Sequence, residues 1–201
     1  MYLSKILIKG PACRNPYEIH KVLWNLFPVD EAADRDFLFR VSHADRNRAE
    51  ILMQSIREPE RSSDKVQILA CKDYPLLLIP GQRLRFLLLA NPVKTIDDEA
   101  GRTKADGATK KCRVPLIREE EQRSWMERKF QHVASIETLV IDPVFPLIFR
   151  KSREGRIGKI QPVCFQGVLK VEEPVSMTEL IEKGVGPAKA FGCGLLSLAR
   201  A

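Results

Sequence analysis

The segment Leu3-Ser4-Lys5-Ile6-Leu7-Ile8-Lys9, followed by Asn15-Pro16-Tyr17-Glu18-Ile19-His20-Lys21-Val22-Leu23-Trp24-Asn25-Leu26-Phe27-Pro28, sets the start of the fold. Leu3 to Lys9 is short and rich in branched apolar residues, as a strand is. Asn15 suits a helix N-cap, Pro16 the first helical position, and Glu18 a capping-box-like start. Ile19, Val22, Leu23 and Leu26 recur at i, i+3, i+4 and i+7, one buried stripe, and Pro28 stops the helix.

Beyond this segment, Phe37 to Val41 and Glu50 to Ile56 read as strands, Asp64 to Ala70 as a weak helix, and Tyr74 to Ile79 as a strand. Pro80-Gly81 marks a turn, after which the order repeats. Leu84 to Ala90 is a strand, and a long basic loop or ribbon follows. Arg118 to Phe130 is a charged helix held by Trp125, Met126 and Phe130. Ile136 to Ile141, Phe145 to Phe149 and Ile160 to Val171 are strands. Ser176 is expected to cap a helix that ends before Gly184, and Gly194 to Leu198 is the last strand. The expectation is an α+β protein of two tandem ferredoxin-like, RRM-like βαββαβ domains, residues 1–80 and 81–201.

Hydrophobic residues make up 44% and charged residues 29% of the 201-residue chain, a globular composition. No apolar run is long enough to cross a membrane and no basic amphipathic helix is present, so a cytoplasmic protein without a membrane partner is expected. The five cysteines are an odd number without a C-x-x-C pair, and the three histidines are scattered. Clustered metal ligands are therefore not visible, and neither a metal nor another cofactor is expected.

Of the net charge of +7, Gly101 to Arg113 supplies +4 (Arg102, Lys104, Lys110, Lys111 and Arg113 against Asp106). Arg150 to Lys159 supplies another +4 (Arg150, Lys151, Arg153, Arg156 and Lys159 against Glu154), leaving −1 for the rest. Positive charge confined to two short segments suits a polyanion, although two solvated loops would read the same way.

On the first helix, at about 100° per residue, Tyr17, His20 and Trp24 share a face away from the core stripe. A histidine there is either an idle surface residue or a proton carrier. Cleavage of RNA without a metal needs a base for the attacking 2′-hydroxyl and an acid for the departing 5′-oxygen, and an imidazole serves for either. A second constellation is Gly184-Val185-Gly186-Pro187-Ala188-Lys189-Ala190-Phe191-Gly192-Cys193-Gly194-Leu195-Leu196-Ser197. Its glycines, Gly186 among them, let backbone approach a phosphate, and Lys189 adds charge.

That glycine-rich stretch resembles the C-terminal loop of the CRISPR-associated repeat endoribonucleases. The resemblance to their CasE branch extends through Met1-Tyr2-Leu3-Ser4-Lys5, Tyr17-Glu18-Ile19-His20, Leu23-Trp24-Asn25-Leu26-Phe27-Pro28 and Arg35-Asp36-Phe37-Leu38-Phe39. It continues through Ala90-Asn91-Pro92-Val93-Lys94-Thr95, Cys112-Arg113-Val114-Pro115-Leu116-Ile117, Gly158-Lys159-Ile160-Gln161 and Phe165-Gln166-Gly167. Val41 to Lys72 matches least. The resemblance implies two ferredoxin-like domains and metal-independent cleavage at the base of the repeat hairpin in precursor CRISPR RNA. The implied ends are a 2′,3′-cyclic phosphate and a 5′-hydroxyl, with mature crRNA and the other Cascade subunits as partners. His20 matches the catalytic histidine, as base or acid, and Tyr17 the helix tyrosine. The basic segments and Lys189 would grip the hairpin, with Lys159 the foremost phosphate ligand. A non-cleaving repeat-hairpin binder and an assembly subunit docking through its basic surface are the competing readings.

Overall fold

The computed structural model describes residues 1–28, 35–98, 101–103, 106–150 and 157–201. β1 (Tyr2–Lys9) leads through a 3-10 turn, Pro11–Arg14, into α1 (Pro16–Trp24). The Asn15 side-chain oxygen accepts the Tyr17 N–H at 3.1 Å, the expected cap. Glu18 does not complete a capping box; its carboxylate takes the Lys21 ammonium at 2.9 Å. Ile19, Leu23, Leu26 and Phe27 are all at most 2% exposed, and burial of each is worth about 1.5–3 kcal/mol. They cover a sheet of β2 (Phe37–Ala44), β3 (Arg48–Ser55), β1 and β4 (Val66–Asp73), antiparallel throughout in the order β2-β3-β1-β4. Ile6, Ile8, Phe39, Ile51 and Met53 complete this core.

Two expectations fail here. The weak helix over Asp64 to Ala70 is β4, because β1 has a second edge to satisfy and pairs Ile8 with Val66 and Ile6 with Ile68. The strand over Tyr74 to Ile79 is an irregular connector, since β4 already holds the fourth position. Leu76 and Leu78 of the connector pack against the second core. The first unit therefore has ferredoxin-like strand order, with no second helix among its described residues.

The second sheet has the order β12-β5-β11-β8, the same pattern, from β5 (Arg83–Ala90), β8 (Ala134–Pro143), β11 (Val163–Val171) and β12 (Leu196–Arg200). α2 (Glu119–Phe130) and α3 (Pro174–Lys183) contribute Trp125, Met126, Phe130, Met177 and Ile181 to its core. Ser176 is not the cap of α3: Pro174 takes the first helical position after Glu173, so Ser176 lies inside the first turn. Gly184, at φ 74°, ends the helix as expected.

Two excursions leave this unit. The basic loop between β5 and α2 is a ribbon of β6 (Val93–Asp97) and β7 (Lys111–Pro115). The single strand expected over Ile160 to Val171 breaks at Gln161-Pro162, where proline has no N–H to donate. Its first part, β10 (Ile157–Ile160), pairs instead with β9 (Leu147–Arg150) as a hairpin. The units join through polar bonds: Gln54 Nε2 donates to the Ile181 carbonyl at 2.9 Å in a buried contact, and Arg40 donates to Ser197 Oγ at 2.8 Å in a partly buried one. No helix among the described residues is long and apolar enough to cross a membrane.

Candidate active site

α1 lies at the seam between the two units, against β9 and the 3-10 turn Lys189–Phe191 of the glycine-rich loop. The capping residue Asn15 also crosses the seam, donating from Nδ2 to the Arg150 carbonyl at 2.9 Å. A glycine is required where the loop meets β2. At Gly184, φ 74°, a Cβ would stand 2.7 Å from Leu38; at Gly192, φ 86°, it would stand 3.3 Å from Phe39.

His20 faces this seam. Its ring lies 5.6 Å from Phe37, 6.5 Å from Phe39 and 6.3 Å from Trp24, centroid to centroid. The face shared by His20 and Trp24 is outside the helix stripe but is not bare, because β2 roofs it with aromatic rings. Nε2 of His20 is buried and has no hydrogen-bond partner among the described residues. An imidazole nitrogen stranded this way costs free energy and is a sign of chemistry or of a missing ligand. Burial, and then the Arg35 guanidinium, push the His20 pKa down to about 4, so the ring is neutral at pH 7.

Arg35 is the residue that sequence reasoning missed. It precedes Phe37 and Phe39 in the same alternation, on the segment whose rings seat His20. Its Nε is buried without a partner among the described residues, and burial lowers its pKa. The adjacent Asp36 is no counter-ion for it, because Arg57 holds that carboxylate at 2.6 and 3.2 Å. Lys189 comes from the other side of the seam and donates to the Lys183 carbonyl. Its pKa is lowered by burial, then by the charges of Arg35 and Lys129. Arg35 thus bears electrostatically on both His20 and Lys189, a concentration of positive charge suited to an anion. Alternation alone could have flagged Arg35, a charge at the head of an inward-facing Arg-x-Phe-x-Phe run.

The other sequence-predicted residues divide. Tyr17 is half-buried one turn before His20, and the Lys21 ammonium sits 4.5 Å from its ring centroid. Arg113 on β7 and Lys159 on β10 line one cavity with Pro187, Ala188 and Phe191 of the glycine-rich loop. Arg150 ends β9, while Lys110 and Lys111 are exposed at the ribbon. Arg102 is bound to Asp98 at 2.6 and 2.9 Å, so much of its charge is spent inside the ribbon. That guanidinium holds the Asp98 carboxyl well below the usual carboxylate range. Gly186 has a packing reason of its own, since a Cβ there would meet the Trp125 ring at 2.8 Å. Lys104, Lys151, Arg153 and Arg156 lie outside the described residues.

Residues 1–200 match the family described as CRISPR associated protein. The chain is 43% identical over 202 residues to the CRISPR system Cascade subunit CasE of Escherichia coli, with 99% of each covered. Its fold resembles the crystal structure of the CRISPR-associated protein Cas6e from Escherichia coli, with a TM-score of 0.84, 40% identity and 100% of both chains covered. It also resembles the CRISPR endoribonuclease Cse3 bound to a 19-nucleotide RNA, with a TM-score of 0.76, 30% identity, and 99% of this chain and 100% of that one covered. These likenesses run the full length of both ferredoxin-like units, His20 helix and glycine-rich loop included, and the chain belongs to the CasE family of CRISPR-associated proteins.

Proposed function

We propose that this protein is an endoribonuclease that grips the repeat hairpin of precursor CRISPR RNA and cuts at the base of the stem. The cut leaves a 2′,3′-cyclic phosphate and a 5′-hydroxyl, and the mature crRNA stays bound for assembly with the other Cascade subunits in the cytoplasm. The observation that carries this reading is the buried Nε2 of His20, without a partner among the described residues and within the field of the Arg35 guanidinium. A relative at 30% identity, the Cse3 endoribonuclease, is solved with RNA bound, which supports the substrate class.

The nucleophile is the RNA's own 2′-hydroxyl, so the reaction needs no metal to generate one. Neutral at pH 7, His20 accepts the 2′-hydroxyl proton as that oxygen attacks the adjacent phosphorus. The bond from phosphorus to the 5′-oxygen breaks, and we assign the proton for that oxygen to the Tyr17 hydroxyl. Arg35 and Lys189 hold the phosphate and take up the charge that builds on its free oxygens. We divide the chain at Pro80-Gly81, with 1–80 carrying the catalytic helix and 81–201 the basic ribbon, hairpin and glycine-rich loop. Lys110, Lys111, Arg113, Arg150 and Lys159 hold the stem by its phosphates, the usual way to read an A-form duplex.

The test is cleavage of labelled repeat RNA in excess EDTA. The parent cuts, while His20→Ala binds the hairpin with similar affinity and cuts at least about 10²-fold more slowly. A 2′-deoxy substitution before the cut abolishes cleavage and leaves binding. Binding without any cut product in the parent would make the chain a repeat-hairpin binder instead.

A further inference from the structure

Between the ribbon, the β9–β10 hairpin and the glycine-rich loop lies a cavity of about 570 Å³. We propose that it holds one unpaired nucleobase of the bound RNA, next to the scissile phosphate, an inference that rests on the RNA reading above. The size falls in the usual range of small-ligand sites, roughly 300–1,000 Å³. Its chemistry is that of a base pocket rather than a phosphate pocket. Phe149 and Phe191, with ring centroids 4.1 Å apart, give it an aromatic wall, and much of the remaining lining is apolar. Gly158 keeps that wall in place, since a Cβ there would stand 2.2 Å from the Phe149 ring.

Two amide side chains, Asn91 and Gln161, supply the polar contacts. Gln161 is already oriented: its Nε2 donates to the Val144 carbonyl at 2.9 Å, leaving the side-chain oxygen as an acceptor for a base amino or ring N–H. Among the described residues no carboxylate lines the cavity, which disfavours a cationic occupant, and Arg113 and Lys159 at its rim draw in the phosphates of the adjoining strand. Single-stranded RNA is recognised in this manner, by stacking a splayed base on an aromatic side chain and bonding its edge to amides. A base paired and stacked in the stem cannot enter a concave site. Phe191 belongs to the same 3-10 turn that packs on α1, so cavity and catalytic helix share a wall. An unpaired nucleotide seated here would fix the register of the strand at His20.

The experiment replaces each unpaired nucleotide flanking the stem with an abasic site, one at a time, and measures affinity for the full-length protein. The parent should lose about 5- to 150-fold at one position, the scale on which a single stacked base counts. Two variants should lose that sensitivity, each already weakened with intact RNA. Ile117→Trp crowds the cavity from a residue 68% exposed, and Asn91→Ala removes an edge contact. Thermal melting of both checks that the fold is kept. Intact hairpin binding with no abasic-sensitive position overturns the pocket alone, as does equal abasic sensitivity in parent and variants. Failure of the parent to bind repeat RNA overturns the RNA reading and the pocket with it.

Discussion

Replacing Arg35 with methionine separates the electrostatic role proposed for this residue from a merely structural one, because the two predict opposite changes in stability. The guanidinium is partly buried, its Nε has no hydrogen-bond partner among the described residues, and the neighbouring carboxylate of Asp36 is held by Arg57. Burying an unpaired charge costs several kcal/mol in full, and less here because part of the side chain still meets solvent. Methionine keeps an unbranched, flexible stem, is shorter and uncharged, and is suited to packing near Phe37 and Phe39. Urea unfolding at pH 7 should therefore show Arg35→Met unchanged or more stable, by up to about 2 kcal/mol. The His20 pKa should rise from about 4, though not to its ordinary value, since burial is the larger cause of its depression. Single-turnover cleavage at saturating protein should fall about 10²- to 10³-fold, the cost of losing one charge-stabilising donor. Arg35→Lys should keep more of that rate than Arg35→Met. A variant destabilised by more than about 1 kcal/mol that still cuts within threefold of the parent would refute the reasoning.

Because the His20 pKa is about 4 in the folded chain against an ordinary value of 6.5, the folded state binds fewer protons between those pH values. This contribution to stability is complete above pH 6.5 and is lost as the pH falls toward 4. Between pH 7 and 5 the loss is about 1–2 kcal/mol after allowance for partial exposure, and unfolding of His20→Asn should show that much less acid sensitivity than the parent. Equal pH slopes for the two proteins would contradict the burial assigned to this ring. Removing Arg113 and Lys159 together should weaken hairpin binding and flatten its logarithmic salt dependence by up to about 2 units, while saturated cleavage stays within about tenfold. An unchanged salt slope would place the RNA elsewhere.

What could be read from the sequence followed the strength of local signals. The start of α1 was legible to the residue because Asn15 and Pro16 agree with the Ile19, Val22, Leu23 spacing, whereas the helix ends at Trp24, before the stop expected at Pro28, and Leu26 packs from beyond it. β4 was not, because Val66-Gln67-Ile68-Leu69-Ala70 carries no strong local preference and becomes a strand only by pairing with β1. The Tyr74 to Ile79 run looks more strand-like than β4, yet its Leu76 and Leu78 serve a core that begins later in the chain. His20 was found on its helix face, but its burial depends on Phe37 and Phe39, seventeen and nineteen residues on. Charge counting treated every cation of the ribbon as available, whereas Arg102 is committed to Asp98. No composition argument detects such a pair.

The glycine-rich loop illustrates how one sequence signal can have two physical causes. Read alone, its glycines suggest backbone laid open to a phosphate. In the fold, Gly184 and Gly192 admit Leu38 and Phe39 of β2, so the loop clamps the second unit to the strand that roofs His20. The same clamp brings Lys189 across the seam and sets Phe191 against Phe149. The surroundings of His20 draw on both units: the rings of Trp24, Phe37 and Phe39 and the Arg35 charge come from the first, and Lys189, whose charge meets that of Arg35, comes from the second. Burial is the larger cause of the depressed His20 pKa. A chain whose units came apart would keep the rings of β2 by His20 and carry Lys189 away from Arg35. Docking of the two ferredoxin-like units is therefore a condition for the proposed chemistry, and substitutions at the seam should damage cleavage before they unfold either sheet.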